Sequence, residues 1–379
     1  MSTHEPRVWD RSRTEDDWEC PRGRYYAYEW NGHGVVPDQD VLEITMGTIL
    51  HEAVASIAQS TKVGVPVDVD ALALDAYKKM SDFILVGTEG EIEARTFAKE
   101  QGTLVEGLVR GFMRHCWPTL MVLYPSILFI EEEMLYGDEK LIFMARPDLV
   151  LADREGNPVY VEVKSTGYKT EQWMASWEKA VQLHATSRAI HATKGLEVER
   201  IIVQGLYKGF KSYGKQSSPF CYGYGRSANP PFVQAQMSYE YKQGQKRVPT
   251  WEMEGGVKAW VEHMPITVLM NQFPQTPPIF VNEDLVEAFF RQRTFREHEM
   301  RLALEMLPTL DEEGKQNVLS FTFPQKFDTC QPAFGHACPY RMLCHGGVTD
   351  PLTAHFVPRV PHHALEVELF EKAAKAEEA

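Results

Sequence analysis

Arg146-Pro147-Asp148-Leu149-Val150-Leu151-Ala152-Asp153-Arg154-Glu155-Gly156-Asn157-Pro158-Val159-Tyr160-Val161-Glu162-Val163-Lys164 reads as a β-hairpin from end to end. Two apolar runs flank Asp153-Arg154-Glu155-Gly156-Asn157, where turn-forming residues are densest. Residue 155 lies midway between 148 and 162, so a turn centred there sets Asp148 opposite Glu162. Strand side chains alternate faces, which puts Glu162 and Lys164 on one side and Val159, Val161 and Val163 on the other. Two carboxylates and an amine therefore converge.

Hard carboxylate oxygens hold a divalent cation such as Mg2+ while leaving coordination sites for water. A lysine beside them can orient or deprotonate the attacking water, or neutralise charge building on a phosphate. This constellation suits phosphodiester hydrolysis. A solvated strand face is the plain alternative, because an acidic residue, any residue and then lysine recurs by chance in a charged chain.

Working outward, Leu42, Met46, Ile49, Leu50, Val54 and Ile57 recur at helical spacing over 41–60, a shorter helix fits 69–85, and 91–117 reads as a second long helix. Strands are expected at 126–134, 141–152 and 158–164, a helix over 170–193 and a strand at 199–206. Farther on, strands are expected at 232–240 and 266–272 and a helix at 283–307. His51 falls on the first long helix, where a histidine either packs in the core or offers a neutral imidazole to a metal. Gln182, on the helix after the lysine strand, can bind a nucleotide or brace the site.

Cys20 stands near one end of the chain and Cys330, Cys338 and Cys344 near the other. If these thiols share one metal or iron-sulfur centre, the fold has to bring both ends together. Six cysteines in 379 residues do not form a disulfide framework. Cys116 and Cys221 read as ordinary buried thiols. The hydrophobic content of 44% suits a large core, no apolar run reaches membrane-spanning length, and the start of the chain lacks an apolar signal segment. A reducing cytoplasm is the expected compartment.

A formal net charge of -14 argues against a protein that coats nucleic acid with its whole surface. A local groove is still possible. Between Tyr207 and Arg226, Lys208, Lys211 and Lys215 alternate with aromatic residues including Tyr213, a mixture that suits phosphate contact and base stacking. A solvated loop explains the same pattern equally well.

His51 on a helix, Asp148, Glu162-Val163-Lys164 and Gln182, in this order, resemble the RecB-type branch of the PD-(D/E)XK nuclease superfamily. Cys20-Pro21-Arg22 with Tyr25 and Tyr26, and Cys338-Pro-Tyr-Arg-Met-Leu-Cys344, resemble its iron-sulfur subgroup, which includes CRISPR-adaptation nucleases, the AddB nuclease domain and exonuclease V. The resemblance covers residues 18–206 and 325–345. It implies an α/β fold with a restriction-endonuclease-like core, a central mixed sheet flanked by helices, and an iron-sulfur clasp joining the terminal segments. It also implies a nuclease core within 1–206, an elaboration at 207–324, a cluster segment at 325–350 and a tail at 351–379.

Carried over, Asp148, Glu162, Lys164 and Gln182 would be catalytic. His51, Asp148, Glu162 and the Val163 carbonyl would hold Mg2+ or Mn2+, and Cys20, Cys330, Cys338 and Cys344 a 4Fe-4S cluster. The implied activity is an exonuclease on DNA ends or single strands, in recombination, repair or phage DNA processing, with a protein partner conceivable at 207–324. Three departures stand out: Arg146-Pro147 where the family carries glycine two before the aspartate, Thr186 where an aromatic is usual, and a longer Cys330–Cys338 gap holding His336. The rivals are an idle nuclease-fold scaffold and a four-cysteine zinc site.

Overall fold

The computed structural model describes residues 7–38, 41–87, 91–138, 140–167, 171–208, 210–212, 215–217, 220–224, 247–328, 330, 338–345, 350–353, 355–361, 363 and 365–368. The elements that position the site are, in chain order, β1 (Arg7–Asp10), α1 (Arg11–Glu19), α2 (Leu42–Lys62), α3 (Val69–Leu85), α4 (Ile92–Gly111), β2 (Ser126–Ile130), β3 (Met134–Gly137), β4 (Leu141–Ala145), β5 (Leu149–Ala152), β6 (Pro158–Thr166), α5 (Val181–Lys194), β7 (Arg200–Tyr207), β8 (Ile279–Phe280) and α6 (Glu283–Met306).

The central sheet runs β8-β7-β6-β5-β2. β6 and β7 are parallel, bridged by α5, and the remaining pairs are antiparallel, so the sheet is mixed. Leu149 pairs with Val161 and Leu151 with Val159, the register that the turn at Asp153–Asn157 dictates. Asp153 accepts hydrogen bonds from the backbone N–H groups of Glu155 and Asn157 and holds that turn.

Alternation along these strands divides the interior. Leu149, Leu151, Val159, Val161 and Val163 are buried against Leu50 and Val54 of α2 and Leu104 and Leu108 of α4. Val150, Tyr160, Ile201 and Val203 pack on the opposite face with Leu183 and Ile190 of α5, Trp9 of β1 and Phe289 of α6. At roughly 1.5–3 kcal/mol per buried aliphatic side chain, a one-residue slip of β6 would be prohibitive. That lock also fixes which face Glu162 and Lys164 take.

Several expected elements differ. The run 141–152 is two strands in two sheets: β4 lies between β1 and β3, whereas β5 joins the central sheet. Pro147 lacks an amide donor and restrains Arg146, which ends one ladder before the next begins. The run 126–134 divides likewise into β2 and β3, with Glu131 at φ 45° between them. The helix expected over 170–193 is broken at Ala180 (ψ 84°) into Glu171–Ser176 with a short turn after it, and α5. Residues 266–272 form a helix rather than a strand: Ile266-Thr267-Val268 alternates, but Pro265 starts a helical turn and the adjacent Val268 and Leu269 are both buried. The strand expected at 232–240, together with Tyr213 and His336, lies outside the described residues.

The two ends of the chain meet. Val35–Pro37 pairs antiparallel with Phe356–Pro358, and Tyr26 and Tyr340 stack with ring centroids 6.2 Å apart. Arg24 of the N-terminal segment is fully buried and donates to both oxygens of Glu297 on α6 at 2.6 and 2.7 Å. Arg293 donates to Glu297 and to Asp17, each at 2.8 Å. Among the described residues, no helix is long and apolar enough to cross a membrane.

Candidate functional site

A cleft of about 580 Å³ opens where α1, α2, α5 and the hairpin meet; Arg11, His51, Glu131, Asp148, Glu162 and Lys164 are among the residues that line it. α2 presents His51 beside this cleft while Leu50 and Val54 anchor the helix in the core. His51 Nδ1 lies 3.0 Å from Asp148 Oδ1. The other Asp148 oxygen accepts the Val163 backbone N–H at 2.6 Å, so the hairpin itself orients the carboxylate. His51 titrates above the usual imidazole range: burial disfavours its charge, and the hydrogen bond and charge of Asp148 outweigh that.

Glu131 was not singled out by the sequence. It follows β2, its amide donates to the Asp148 carbonyl at 3.1 Å, and its left-handed backbone turns the chain at that point. Among the described residues, His51, Glu131 and Asp148 form the one group of three histidine, cysteine or carboxylate side chains whose ligand atoms all lie within 4.8 Å of one another. One nitrogen and two carboxylates are a donor set for Mg2+ or Mn2+. The available signal was an acidic run, Glu131-Glu132-Glu133, ending an apolar strand, one residue beyond the Ile130–Leu149 pair and hence opposite Asp148.

Glu162 is deployed differently. One of its oxygens receives both Lys164 Nζ at 2.5 Å and Arg11 at 2.9 Å, and the other accepts the Tyr160 hydroxyl. Burial alone would raise this carboxyl; the charges of Lys164 and Arg11 outweigh it and hold the value down at about 2. The Tyr160 phenol moves the opposite way, far above its ordinary range, through burial and the adjacent carboxylate. Arg11 and Tyr160 also escaped the sequence reading, Arg11 because nothing in the sequence places α1 next to β6.

Gln182 is buried and lines the cleft, as does Thr186 one turn later, whose hydroxyl donates to the Gln182 carbonyl at 2.9 Å. His363 lies against the same wall. Its Nε2 is 3.0 Å from Asp10 and its Nδ1 3.2 Å from Glu133. Of the basic segment, Lys208 donates its amide to the Thr166 carbonyl at the end of β6 but does not line the cleft. Lys211 and Lys215 belong to the hairpin strands Phe210–Ser212 and Lys215–Ser217.

The four distributed cysteines are brought to one region. Cys20 caps the short helix Pro21–Arg24, the Cys338 amide donates to the Cys330 carbonyl at 3.2 Å, and Cys344 lies in the helix Arg341–His345. All are free thiols. Burial raises Cys338 and Cys344, the latter to about 12, and the neighbouring thiols of the quartet add to both shifts. His345 Nε2 lies 3.6 Å from Cys330 Sγ, a neighbour that the sequence reading overlooked in favour of His336. Cys116 and Cys221 are buried as expected.

The family model for the PD-(D/E)XK nuclease superfamily matches residues 12–345. The chain belongs to that superfamily. Comparison with curated proteins returns no match. Membership carries the general character of the group: PD-(D/E)XK enzymes are nucleases, hydrolases that generally work with divalent metals, and His51, Glu131 and Asp148 of this chain form a candidate site for such an ion.

Proposed function

We propose that this cleft is the active site of a metal-dependent deoxyribonuclease that works as an exonuclease on DNA ends or single strands. The observation that carries the reading is the meeting of His51, Glu131 and Asp148 with the Glu162–Lys164 pair in one cleft. His51, Glu131 and Asp148 hold the cation, with Glu162 and the Val163 carbonyl joining them. A bound Mg2+ or Mn2+ supplies Lewis acidity toward the phosphate and a more acidic water. Lys164 orients that water or offsets charge on the phosphate, and Gln182 braces the wall behind it. The segment 207–324 elaborates the core, with Lys208, Lys211, Tyr213 and Lys215 as DNA contacts and a protein partner as its second role.

The cysteine quartet is assigned as a 4Fe-4S clasp apart from the chemistry. Its donor set fits: four free thiols share a region that already unites both ends of the chain.

The test incubates anaerobically purified protein with end-labelled single- and double-stranded DNA, with free and blocked ends, plus Mg2+ or Mn2+. Cleavage from free ends that Asp148→Asn and Lys164→Ala each lower by about a hundredfold or more is expected. Cleavage surviving both substitutions overturns the assignment, and DNA binding without cleavage returns the idle-scaffold reading.

A further inference from the structure

Two arginines of this cleft, Arg11 and Arg146, have no task in the reading above, and of the two Arg11 is the one that contacts Glu162. It opens α1, directly after β1, whose parallel pairing with β4 fixes its origin. Its side chain is 32% exposed, with Nε 2.8 Å from Glu15 and the guanidinium 5.9 Å from the Trp177 ring centroid. Its NH1 occupies the same Glu162 oxygen that Lys164 contacts.

Glu162 does not belong to the group within 4.8 Å formed by His51, Glu131 and Asp148. A cation held there would compete with Lys164 and Arg11 for that oxygen. Lys164 shares the strand of Glu162, whereas Arg11 lies on a separate helix, so a Glu162 drawn to the metal would leave the planar fork of Arg11 facing the cleft. Guanidinium matches the paired non-bridging oxygens of a phosphodiester, and Glu15 keeps the group at the cleft as it changes partner. Asp10, Glu52, Glu131 and Asp148 all line the cleft against the cations Arg11, Arg146 and Lys164, so an entering polyanion has few positive partners there.

We propose that Arg11 is a phosphate-gripping residue that exchanges partners: it holds Glu162 when cation and DNA are absent, and binds a phosphodiester of the DNA strand once Glu162 turns to the metal. This rests on the nuclease reading. It gives Arg11 two opposite effects, competing with the cation for Glu162 and aiding DNA. A residue that merely braced Glu162 for the metal would aid both.

The experiment compares Arg11→Gln and Arg11→Lys with Arg146→Gln, which removes an exposed cleft arginine that makes no ion pair with Glu162. Thermal unfolding first verifies that each variant is folded. Calorimetric titration of the metal-free, full-length protein with Mn2+ alone should show Arg11→Gln binding several-fold tighter, a shift larger than that of Arg146→Gln. Affinity for a single-stranded oligonucleotide, measured with Ca2+ in place of Mn2+ to withhold cleavage, should fall about tenfold in Arg11→Gln, and kcat for cleavage with Mn2+ about a hundredfold, with Arg11→Lys recovering part of each; in EDTA the oligonucleotide affinity of Arg11→Gln should match the wild type. Weaker Mn2+ binding in Arg11→Gln, an equal shift in Arg146→Gln, or unchanged DNA affinity with Ca2+ overturns the exchange. If the wild type binds DNA but never cuts it, the nuclease reading falls, while the Mn2+ and DNA titrations still judge Arg11.

Discussion

His51 and Asp148, 97 residues apart, meet at 3.0 Å across the junction between α2 and the hairpin. Each holds the other in a geometry that a divalent cation can use, and a proton on His51 competes for the same nitrogen. Because Asp148 raises the imidazole above its ordinary value, that competition extends toward neutral pH. Mn2+ affinity should therefore rise with pH through the raised histidine value and level off above it. Calorimetry between pH 6 and pH 9 checks this, and His51→Ala should bind more weakly with a flatter pH dependence.

Lys164→Ala should leave the fold and Mn2+ binding largely intact, because Arg11 still neutralises Glu162. Cleavage should fall by about 10²–10⁴, the range for loss of a positioned acid–base or charge-stabilising group. Single-turnover rates at saturating metal separate this from a binding defect. Retention of more than a tenth of the wild-type rate would reassign the lysine.

Glu297 is fully buried between Arg24, Arg7 and Arg293. Burial by itself would raise its carboxyl, yet Arg24 and Arg7 hold it well below the ordinary carboxylate range. Its stabilisation is thus complete above the usual carboxylate value near 4 and is lost as pH falls through the depressed one. Glu297→Gln should cost about 3–5 kcal/mol at pH 7 and flatten the acid limb of a stability profile followed by denaturant unfolding.

Cys344→Ser should lower iron and sulfide content and the thermal midpoint together, while Cys116→Ser should lower neither iron nor sulfide. Absorbance near 400 nm and metal analysis of anaerobic preparations provide the readout. A colourless wild type with stoichiometric zinc would count against the cluster.

The hairpin was legible because its register is an arithmetic consequence of a strong turn and strict alternation: Leu149 faces Val161 where Asp153–Asn157 predicts it. The carboxylates and lysine followed from that. Arg11, Tyr160 and Glu131 were not legible, since their relevance depends on which elements become neighbours. Arg11 and Glu162 are 151 residues apart, and no local pattern joins them. Glu131 had a local clue but sits where one expected strand proved to be two. The helix at 266–272 was misread because three alternating residues resemble a strand until tertiary packing buries two consecutive side chains. Packing overrode local preference there.

Pairing of Val35–Pro37 with Phe356–Pro358 has a consequence in time as well as space. A ribosome adding about 5–20 residues per second needs roughly 15–60 s to travel from Cys20 to the cysteines that join it. During that interval the hairpin, its helices and the cleft can assemble while the first thiol stands alone. The junction between these segments therefore closes after the hairpin and the cleft, and a cluster bound by these cysteines would be delivered to a core already folded.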